Sequence, residues 1–346
     1  MPEITEPFSK ITLSDIIHRL AASRRVLIVS HTNPDGDTLG SAAALAEIVS
    51  AMGSEARCTA PESPSERLSF IIPPERLLIP LSDDGTADSF DTVCAVDIAS
   101  PSQLGSLSWL AERGQIDFMI DHHATGEPFA PYLTDSDASA VGEIIYRLYR
   151  ESLDAGLIPP IPNALRGAYT AISSDTGSFK YSNVTPETHL IAAELVRGIS
   201  CADDGGPSTE ELSRTLFGRR TMRDLRAQAL TIRNLSVSDD GRIASVLFRR
   251  DEYLAEGLSE SDLGGGVETP RSLVGVKIAL SVRQNASDPN LYKVSSRSNC
   301  DTDVAAVCAA FGGGGHPKAA GCSVTASSPE EALSTVTEAF AAALTD

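Results

Sequence analysis

The first half of the chain alternates between two hydrophobic patterns. Short runs rich in β-branched residues predict buried strands at VLIVS (26–30), DTVCAVD (91–97) and IDFMID (116–121). Apolar residues spaced three and four positions apart predict helices at TLGSAAALAEIVSAMG (38–53) and VGEIIYRLYRE (141–151). Because strands alternate with helices, we expect an α/β fold in which helices cover both faces of a parallel sheet.

The pattern changes near residue 198, where the stretch GISCADDGGPSTEE is rich in Gly, Asp, Ser and Pro. This composition predicts a linker at 198–215, between a domain of residues 1–197 and a smaller domain of residues 216–346. Beyond the linker, the runs RIASVLFRR, KIALSVRQ and LYKVSSRS predict strands, and PEEALSTVTEAFAAAL predicts a closing helix. We therefore expect a mixed α+β second domain.

Charge is distributed unevenly along the 346 residues, whose formal net charge is −19. Residues 1–215 contain 31 acidic and 14 basic side chains, whereas residues 216–346 contain 16 and 14. A strongly acidic chain argues against binding to long duplex nucleic acid, which depends on neutralising many phosphates. The acidic half could hold cations, and the arginine-rich half could hold an anion.

Cysteine usage and hydropathy bear on the compartment. The six cysteines include no CxxC pair, which favours reduced thiols over a disulfide framework or a zinc knuckle. We expect no membrane span, because no apolar segment approaches the roughly 20 residues that a span requires. The N-terminal MPEITEPFSK lacks a basic region followed by an apolar core, so the sequence predicts a cytoplasmic chain.

Histidine and aspartate side chains follow the predicted strands where each strand ends. They are His31, Asp35 and Asp37 in HTNPDGDTLGS, Asp97 in AVDIAS, and Asp121, His122 and His123 in IDHHATG, with Asp175 ending a later helix in SSDTGSF. The carboxyl ends of parallel strands meet at one edge of a sheet, where ligands bind. Carboxylates and imidazoles without thiolates suit Mn²⁺, Mg²⁺, Fe²⁺ or Zn²⁺. Two divalent cations would relieve the repulsion among five carboxylates and could clamp a phosphoryl group.

Each motif alone also has an ordinary structural interpretation. PDGD is typical of a turn, and an isolated DHH could cap a helix with two surface histidines. The occurrence of all these motifs in one chain favours a metal site, because four of the six histidines lie in motif-like contexts. His18 and His189 have no such context, and we predict structural roles for both.

The second domain contains the glycine-rich stretch FGGGGHPKAAG at 311–321. Four consecutive glycines leave backbone N–H groups open to close approach by an anion, as in phosphate-binding nests. His316 and Lys318 would add donors beside Gly313, Gly314 and Gly315. A flexible loop is the alternative interpretation of this stretch.

Taken in order, HTNPDGDTLGS, AVDIAS, IDHHATG and SSDTGSF resemble the four motifs of the DHH phosphoesterase superfamily. FGGGGHPKAAG resembles the signature of the DHH-associated C-terminal domain. The resemblance covers nearly the whole chain. Its arrangement and length are most similar to those of the nanoRNase and pAp phosphatase group, which is related to the cyclic dinucleotide phosphodiesterases. It implies a cytoplasmic hydrolase that acts on short nucleotides.

The resemblance also implies roles for individual residues. His31 and Asp35 would bind one metal, Asp37, His122 and Asp175 the other, and Asp97 would bridge them. His123 would face the scissile phosphate, Asp121 would orient the histidine pair, and a hydroxide activated by the two metals would attack phosphorus. Mn²⁺ is the first candidate for the two divalent cations, with Mg²⁺, Fe²⁺ or Co²⁺ as alternatives. Arg297 would hold the substrate, and Arg283 is a weaker candidate.

Several functions share these motifs. The leading hypothesis is hydrolysis of short oligoribonucleotides, dinucleotides such as pApA, or pAp to mononucleotides. A cyclic dinucleotide phosphodiesterase would use the same metals. An inorganic pyrophosphatase or polyphosphatase would not be expected to have the glycine-rich signature, a non-catalytic nucleotide sensor would be expected to lack metal ligands, and a processive exonuclease would need a further nucleic-acid domain. The native metal, the direction of cleavage and the oligomeric state stay open, with a homodimer among the alternatives.

Overall fold

The computed structural model describes residues 8–344, so most of the N-terminal stretch MPEITEPFSK lies outside the described residues. The chain forms two compact units, the first ending at Arg219 and the second beginning at Arg220. The strands of the first unit are β1 (Arg25–Val29), β2 (Glu55–Thr59), β3 (Thr92–Val96), β4 (Phe118–Asp121) and β5 (Tyr132–Thr134). Its helices are α1 (Leu13–Ala22), α2 (Gly36–Ala51), α3 (Ser108–Glu112), α4 (Val141–Asp154), α5 (Pro162–Asp175), α6 (Pro186–Ser200) and α7 (Thr209–Ser213).

The five strands of the first unit form one parallel sheet in the order β2-β1-β3-β4-β5. Successive residues of β1 point to opposite faces. Val26 and Ile28 pack into a core with α1, α2, α4, α5 and α6, whereas Leu27 and Val29 pack into a second core with α3 and the 3₁₀ turns around it. Helices therefore cover both faces, which confirms the predicted α/β fold.

Helices α2 and α5 approach each other unusually closely, and this contact sets the distance between the residues at their ends. A Cβ on Gly40 would lie 2.7 Å from the backbone nitrogen of Ala171, and a Cβ on Gly167 would lie 2.7 Å from the carbonyl oxygen of Gly40. Any larger side chain would push the helices apart. The glycine contact thus fixes the N-terminus of α2 beside the C-terminus of α5.

The stretch 198–215, predicted as a linker, contains regular structure and belongs to the first compact unit. It includes the end of α6 and the whole of α7, which Ser208 and Glu211 cap reciprocally. Leu212 is buried in the first core, and the Arg166 guanidinium binds the Asp204 carboxylate at 2.6 Å. The buried Leu212 and the bidentate ion pair between Arg166 and Asp204 hold this polar stretch against the helices of the first unit.

The second unit contains a mixed six-stranded sheet in the order β10-β11-β9-β8-β7-β6, in which β7 and β8 run parallel and the other pairs antiparallel. Its strands are β6 (Leu235–Val237), β7 (Ile243–Phe248), β8 (Ile278–Gln284), β9 (Leu291–Ser298), β10 (Gly314–His316) and β11 (Ala319–Thr325). Its helices are α8 (Met222–Arg233), α9 (Arg250–Ala255), α10 (Glu268–Arg271), α11 (Val304–Ala309) and α12 (Pro329–Ala343). The predicted mixed α+β domain is confirmed.

Within residues 8–344, no helix combines the length and apolar character needed to cross a bilayer.

Candidate metal centre

Three parallel strands deliver the predicted metal ligands to one edge of the first sheet. His31 follows the end of β1, Asp97 directly follows β3, and His122 directly follows β4. Two helix ends complete the arrangement: Asp37 lies in the first turn of α2, and Asp175 is the last residue of α5. The structure thus brings together residues that are up to 144 positions apart in the sequence.

The donor atoms form three overlapping trios, within each of which all donors lie within 4.8 Å of one another. Ligand bonds of about 2.0–2.2 Å to a divalent ion produce donor spacings of this size. The trios share Asp97 and His122 as common members, so neighbouring ions would share ligands. Their members are His31, Asp35 and Asp97; Asp37, His122 and Asp175; and Asp97, His122 and His123.

Backbone carbonyls orient two of the imidazoles. The Nδ1 atom of His31 lies 2.7 Å from the Thr32 carbonyl oxygen, and that of His122 lies 3.1 Å from the Ala138 carbonyl oxygen. A carbonyl can only accept, so each Nδ1 must carry the proton and donate it. Each Nε2 therefore faces carboxylates, that of His31 lying 3.5 Å from Asp97 Oδ2, and would offer its lone pair to a metal on losing its proton. This orientation is typical of metal-binding histidines.

Asp97 lies at the centre of the cluster and is only 3% exposed. Its backbone adopts a left-handed conformation, with φ of 60°, which turns the side chain at the strand end. Its Oδ1 atom is buried and accepts no hydrogen bond, although His122 Nε2 is 3.7 Å away. A buried carboxylate oxygen of this kind is costly unless a cation neutralises it, so the donor set fits divalent metal ions.

The Asp37 carboxylate is fixed by hydrogen bonds from two helices. Its Oδ2 accepts from the backbone N–H of Val141 at 2.8 Å, and its Oδ1 accepts from the N–H of Gly142 at 3.2 Å. The Ser41 hydroxyl donates to Oδ1 at 2.9 Å. Asp37 therefore supplies the acceptor that the first turn of α4 needs, since Ala140 precedes that helix without a capping side chain.

Burial and mutual repulsion perturb the carboxylates of the cluster. Burial, followed by the charges of Asp97 and Asp175, raises the pKa of Asp37 well above its ordinary value. Burial likewise raises the pKa of Asp97, although the hydrogen bond from His31 opposes this. The pKa of Asp175 rises to about 6, again chiefly because of burial. All three shifts show that the folded chain resists carrying these charges without a cation.

The pKa of the His31 imidazole shifts in the opposite sense to what burial alone would cause. Burial lowers the pKa of His31, but interactions with the Asp35 and Asp97 carboxylates outweigh it and raise the pKa to about 10. Burial would raise the pKa of Asp35, yet the hydrogen bond from His31 and nearby backbone N–H groups leave it lowered. Without metal, His31 is therefore a cation that partly compensates the surrounding aspartates.

We expect the stability of the metal-free chain to fall as pH rises from 5 to 7. The Asp175 pKa is about 6, above the ordinary 3.8, so its contribution is present below 3.8 and is lost as pH rises through 6. His31 adds to the fall only at the top of this window, because its contribution is fully present below 6.5 and is lost as pH rises from 6.5 through about 10. Differential scanning calorimetry in chelator should show a fall of a few degrees in Tm, since 1 kcal/mol corresponds to about 2–4 °C for a domain of this size.

Excess Mn²⁺ should reverse this trend. Metal ions compete with protons for the carboxylates, so the increase in Tm that Mn²⁺ produces should be larger at pH 7 than at pH 5. An Asp175→Asn variant is the matched control, and its metal-free Tm should fall less over the same range. An equal Mn²⁺ effect at both pH values would contradict this account of the carboxylate cluster.

His123 and Asp121 form a separate pair beside the metal ligands. The Nδ1 atom of His123 lies 2.7 Å from Asp121 Oδ1, and Asp121 is 3% exposed. The hydrogen bond to Asp121 raises the pKa of His123 to about 8, while burial opposes the rise. The buried carboxylate thus fixes the His123 ring and favours its protonated form, whereas His122, the other member of the pair that Asp121 was expected to orient, is bonded to the Ala138 carbonyl instead.

The predicted substrate residues of the second unit lie together at one end of its sheet. Ala319 on β11 pairs with His316 on β10 on one side and with Arg297 on β9 on the other. At strand spacings of about 4.8 Å, the Arg297 and His316 backbones are about 10 Å apart. Arg297 binds Glu268, with Nε 3.1 Å from Oε1, and also donates to the Ser296 carbonyl.

Arg283 stands apart from this group. On β8 it lies four residues beyond Ala279, which is the partner of Arg297, and this corresponds to about 13 Å along the strand. Its buried Nε lies 3.8 Å from the Glu260 carboxylate and makes no hydrogen bond. Burial lowers the pKa of Arg283. The structure therefore does not bring Arg283 together with Arg297.

The glycine-rich stretch is a strand as well as a turn. Gly314–His316 forms β10 at the edge of the sheet, antiparallel to β11. A Cβ on Gly313 would lie 2.2 Å from the Gly321 carbonyl oxygen, and Gly315 has a φ of 142°. Lys318, in the turn, donates to the Cys300 carbonyl. Close packing against β11 thus requires glycine at 313 and 315, independently of any ligand. The four glycines therefore do not form the open anion-binding nest that the sequence predicts.

Sequence reasoning missed three residues that support the ligands, namely Ser139, Glu143 and Asn183. Glu143 is 1% exposed, and its Oε1 accepts from the Ser139 hydroxyl at 2.5 Å. The Asn183 amide donates to Asp175 Oδ2 at 3.3 Å. The available signal was the spacing Ser-x-x-x-Glu at the start of the predicted helix at 141–151, which looks like an ordinary helix N-terminus.

Two family models match the chain. The model for the DHH family, N-terminal domain, matches residues 25–172, and the model for the DHHA1 domain matches residues 243–342. The chain therefore contains a DHH family N-terminal domain followed by a DHHA1 domain, and the resemblance inferred from the motifs is confirmed.

Individual relatives are similar over different shares of the chain. The bifunctional oligoribonuclease and PAP phosphatase NrnA of Bacillus subtilis is 26% identical over 90% of this chain and 93% of its own length. A probable manganese-dependent inorganic pyrophosphatase of Enterococcus faecalis is 28% identical over 47% of this chain and 52% of its own. The crystal structure of an exopolyphosphatase-related protein from Bacteroides fragilis covers 95% of both chains with a TM-score of 0.84 and 22% identity, which shows a shared fold.

Proposed function

We propose that this DHH phosphoesterase hydrolyses very short oligoribonucleotides, dinucleotides such as pApA, or pAp to mononucleotides, with two divalent cations in the cluster around Asp97. The observation that carries the proposal is the overlap of the three donor trios: two of them share Asp97, whose buried Oδ1 accepts no hydrogen bond, and the third joins them through His122. Mn²⁺ is the proposed metal among the divalent ions that suit oxygen and imidazole donors without thiolate. Similarity to the NrnA enzyme over nearly its whole length supports the substrate class.

Each residue of the cluster has a defined task in this proposal. His31, Asp35 and Asp97 would hold one cation, and Asp37, His122 and Asp175 the other, with Asp97 shared. When bound, two such cations supply a water of lowered pKa and positive charge against the phosphate oxygens. His123, held by Asp121, would donate a hydrogen bond or proton to the substrate oxygen that carries the developing charge.

Substrate binding is assigned to the second unit. Arg297 and His316 lie in one register row beside the turn that contains Lys318, so one sheet end presents an arginine, a histidine and a lysine. These are donors suited to a terminal phosphate. A site that binds one end of a substrate favours short nucleotides over long polymers. The acidic net charge of −19 agrees with this preference.

Product analysis by chromatography tests the proposal directly. The purified chain with Mn²⁺ is incubated separately with pApA, pAp, cyclic di-AMP and pyrophosphate, with a chelator control for each. Release of AMP from pApA or pAp that stops in chelator is the expected result. Cleavage of cyclic di-AMP at a higher rate would favour the cyclic dinucleotide alternative, and cleavage of pyrophosphate alone would move the chain to the pyrophosphatase branch. Tight nucleotide binding without turnover would point to a sensor.

Arg297→Ala should raise KM for pApA about 10–100-fold while changing kcat little. A hydrogen bond to a charged group contributes about 1.5–3 kcal/mol, and binding that is equal in ground and transition states appears in KM. Steady-state kinetics with pApA measure the split. Arg271→Ala is the matched control, because Arg271 also contacts Glu268, at 3.4 Å. A fall confined to kcat, or an equal effect in both variants, would remove Arg297 from the substrate site.

A further inference from the structure

One short segment contacts two members of the trio Asp37, His122 and Asp175 directly, and Asn183 links it to the third. We call residues 138–142 the bracket segment; it leads into the first turn of α4. Its Ala138 carbonyl accepts from His122 Nδ1 at 3.1 Å. Its Val141 and Gly142 amides donate to the two oxygens of Asp37 at 2.8 and 3.2 Å. Five consecutive residues thus orient both an imidazole and a carboxylate.

Asn183 connects the third ligand to the same segment. Its Nδ2 donates to the Ser139 carbonyl at 3.0 Å and to Asp175 Oδ2 at 3.3 Å. The amide also lies 3.2 Å from the Asp175 carbonyl oxygen. Asn183 therefore links the end of α5 to the bracket segment.

Glu143 holds the bracket segment in place. Its Oε1 accepts from the Ser139 hydroxyl at 2.5 Å and from the Ser139 N–H at 3.3 Å. Its Oε2 is buried without a hydrogen bond, and an Arg147 nitrogen lies 3.6 Å away. A glutamate that only capped a helix would lie near solvent, because burying a carboxylate costs several kcal/mol. The buried position indicates a task that needs a rigid acceptor.

Different groups hold the trio His31, Asp35 and Asp97. His31 is oriented by the Thr32 carbonyl, and Asp35 accepts from the amides of Asp37 and Thr38 at 2.9 and 3.1 Å. These groups belong to the β1-to-α2 turn and the start of α2, far along the sequence from Glu143. Loosening the bracket segment should therefore affect the two cation positions unequally.

We propose that Ser139, Glu143 and Asn183 are positioning residues that hold Asp37, His122 and Asp175 in place for one of the two cations. This inference rests on the proposed metal centre. It adds that these three residues and the bracket segment set the affinity for one cation only, while the other cation depends on His31, Asp35 and Asp97. Residues that orient metal ligands typically change metal affinity 10–100-fold when they are removed.

Mn²⁺ titration of the metal-free full-length chain, without substrate, tests the inference. Free Mn²⁺ is followed by electron paramagnetic resonance at constant pH. We expect wild type to bind two ions, and Glu143→Leu to bind one with unchanged Kd and the other about 10–100-fold more weakly. Glu143→Gln keeps an oxygen that can accept from Ser139 and should restore most of the affinity. Glu151→Leu, on an exposed position of the same helix, is the matched control and should bind as wild type does.

Asn183→Ala is the second variant, since Glu143→Leu could prevent folding, and it should weaken the same single ion. Retention of both wild-type affinities in Glu143→Leu and Asn183→Ala would overturn the inference. Equal weakening of the binding of both ions would overturn it too, because the bracket segment would then not act on one cation position alone. A wild-type chain that binds no Mn²⁺ would instead overturn the proposed function itself.

Discussion

Asp97→Asn should lower kcat/KM for pApA by at least about 10³-fold in saturating Mn²⁺. The variant loses the carboxylate charge that both cations would share, and a metal clamp contributes several kcal/mol of transition-state stabilisation, with each 1.36 kcal/mol corresponding to tenfold in rate. The same variant should bind Mn²⁺ more weakly at both positions, because Asp97 belongs to two of the donor trios. Steady-state rates and Mn²⁺ titration together measure these two effects.

Asparagine is a better test at this position than alanine. Asp97 has a φ of 60°, a conformation that Asn adopts readily and that costs Ala about 1–2 kcal/mol. The metal-free Asp97→Asn chain should be at least as stable as wild type in chelator, because it loses a buried carboxylate whose pKa is raised by burial. Asp91→Asn, at the other end of the strand, is the control and should keep wild-type kinetics. Near-normal turnover in Asp97→Asn would show that the centre has been assigned to the wrong residues.

Parallel-sheet topology is what made this cluster predictable from sequence. The β-branched runs at β1 and β3 mark buried strands, and parallel strands bring their carboxyl ends to one edge. His31 and Asp97 follow those strands directly, so their proximity required no knowledge of the helices. Asp175 was harder, because it ends α5, whose position depends on the contact between Gly40 and Gly167.

Support for the ligands was not predictable in the same way. Ser139 and Glu143 lie four residues apart at a helix start, where polar residues are common, and only the folded structure shows that both are buried. Asn183 lies in a loop, and its link to Asp175 depends on the approach of that loop to the bracket segment. Contacts between distant elements follow from packing, which local sequence patterns do not encode.

The glycine-rich stretch shows the converse problem. Glycine has low β-propensity, so the run at 312–315 favours a loop or an anion nest over a strand. In the structure Gly314 pairs with Gly321, because glycine at 313 and 315 allows the backbone of β10 to lie against β11. Close approach of two backbones, rather than freedom of the chain, is the physical use of these residues.

His123→Gln should lower kcat about 10²–10⁴-fold while leaving the two Mn²⁺ affinities close to wild type. Glutamine can still donate a hydrogen bond, but it cannot transfer a proton or carry the positive charge that Asp121 stabilises through its 2.7 Å contact. The result would distinguish two roles, because His123 also belongs to one donor trio with Asp97 and His122. Single-turnover rates with pApA, measured beside an Mn²⁺ titration, give both quantities.

His18→Gln is the matched control, since His18 is exposed on α1, and it should keep the wild-type kcat. If His123→Gln loses one Mn²⁺ ion, His123 is a metal ligand and the leaving-group acid must be sought elsewhere. Asp121→Asn then sharpens the argument, because it keeps the size of the residue but removes the charge that raises the His123 pKa to about 8. If His123 is a proton donor, Asp121→Asn should lower kcat and shift the alkaline limb of the kcat pH profile to lower pH. The reason is that His123 holds its proton less tightly beside a neutral partner than beside a carboxylate.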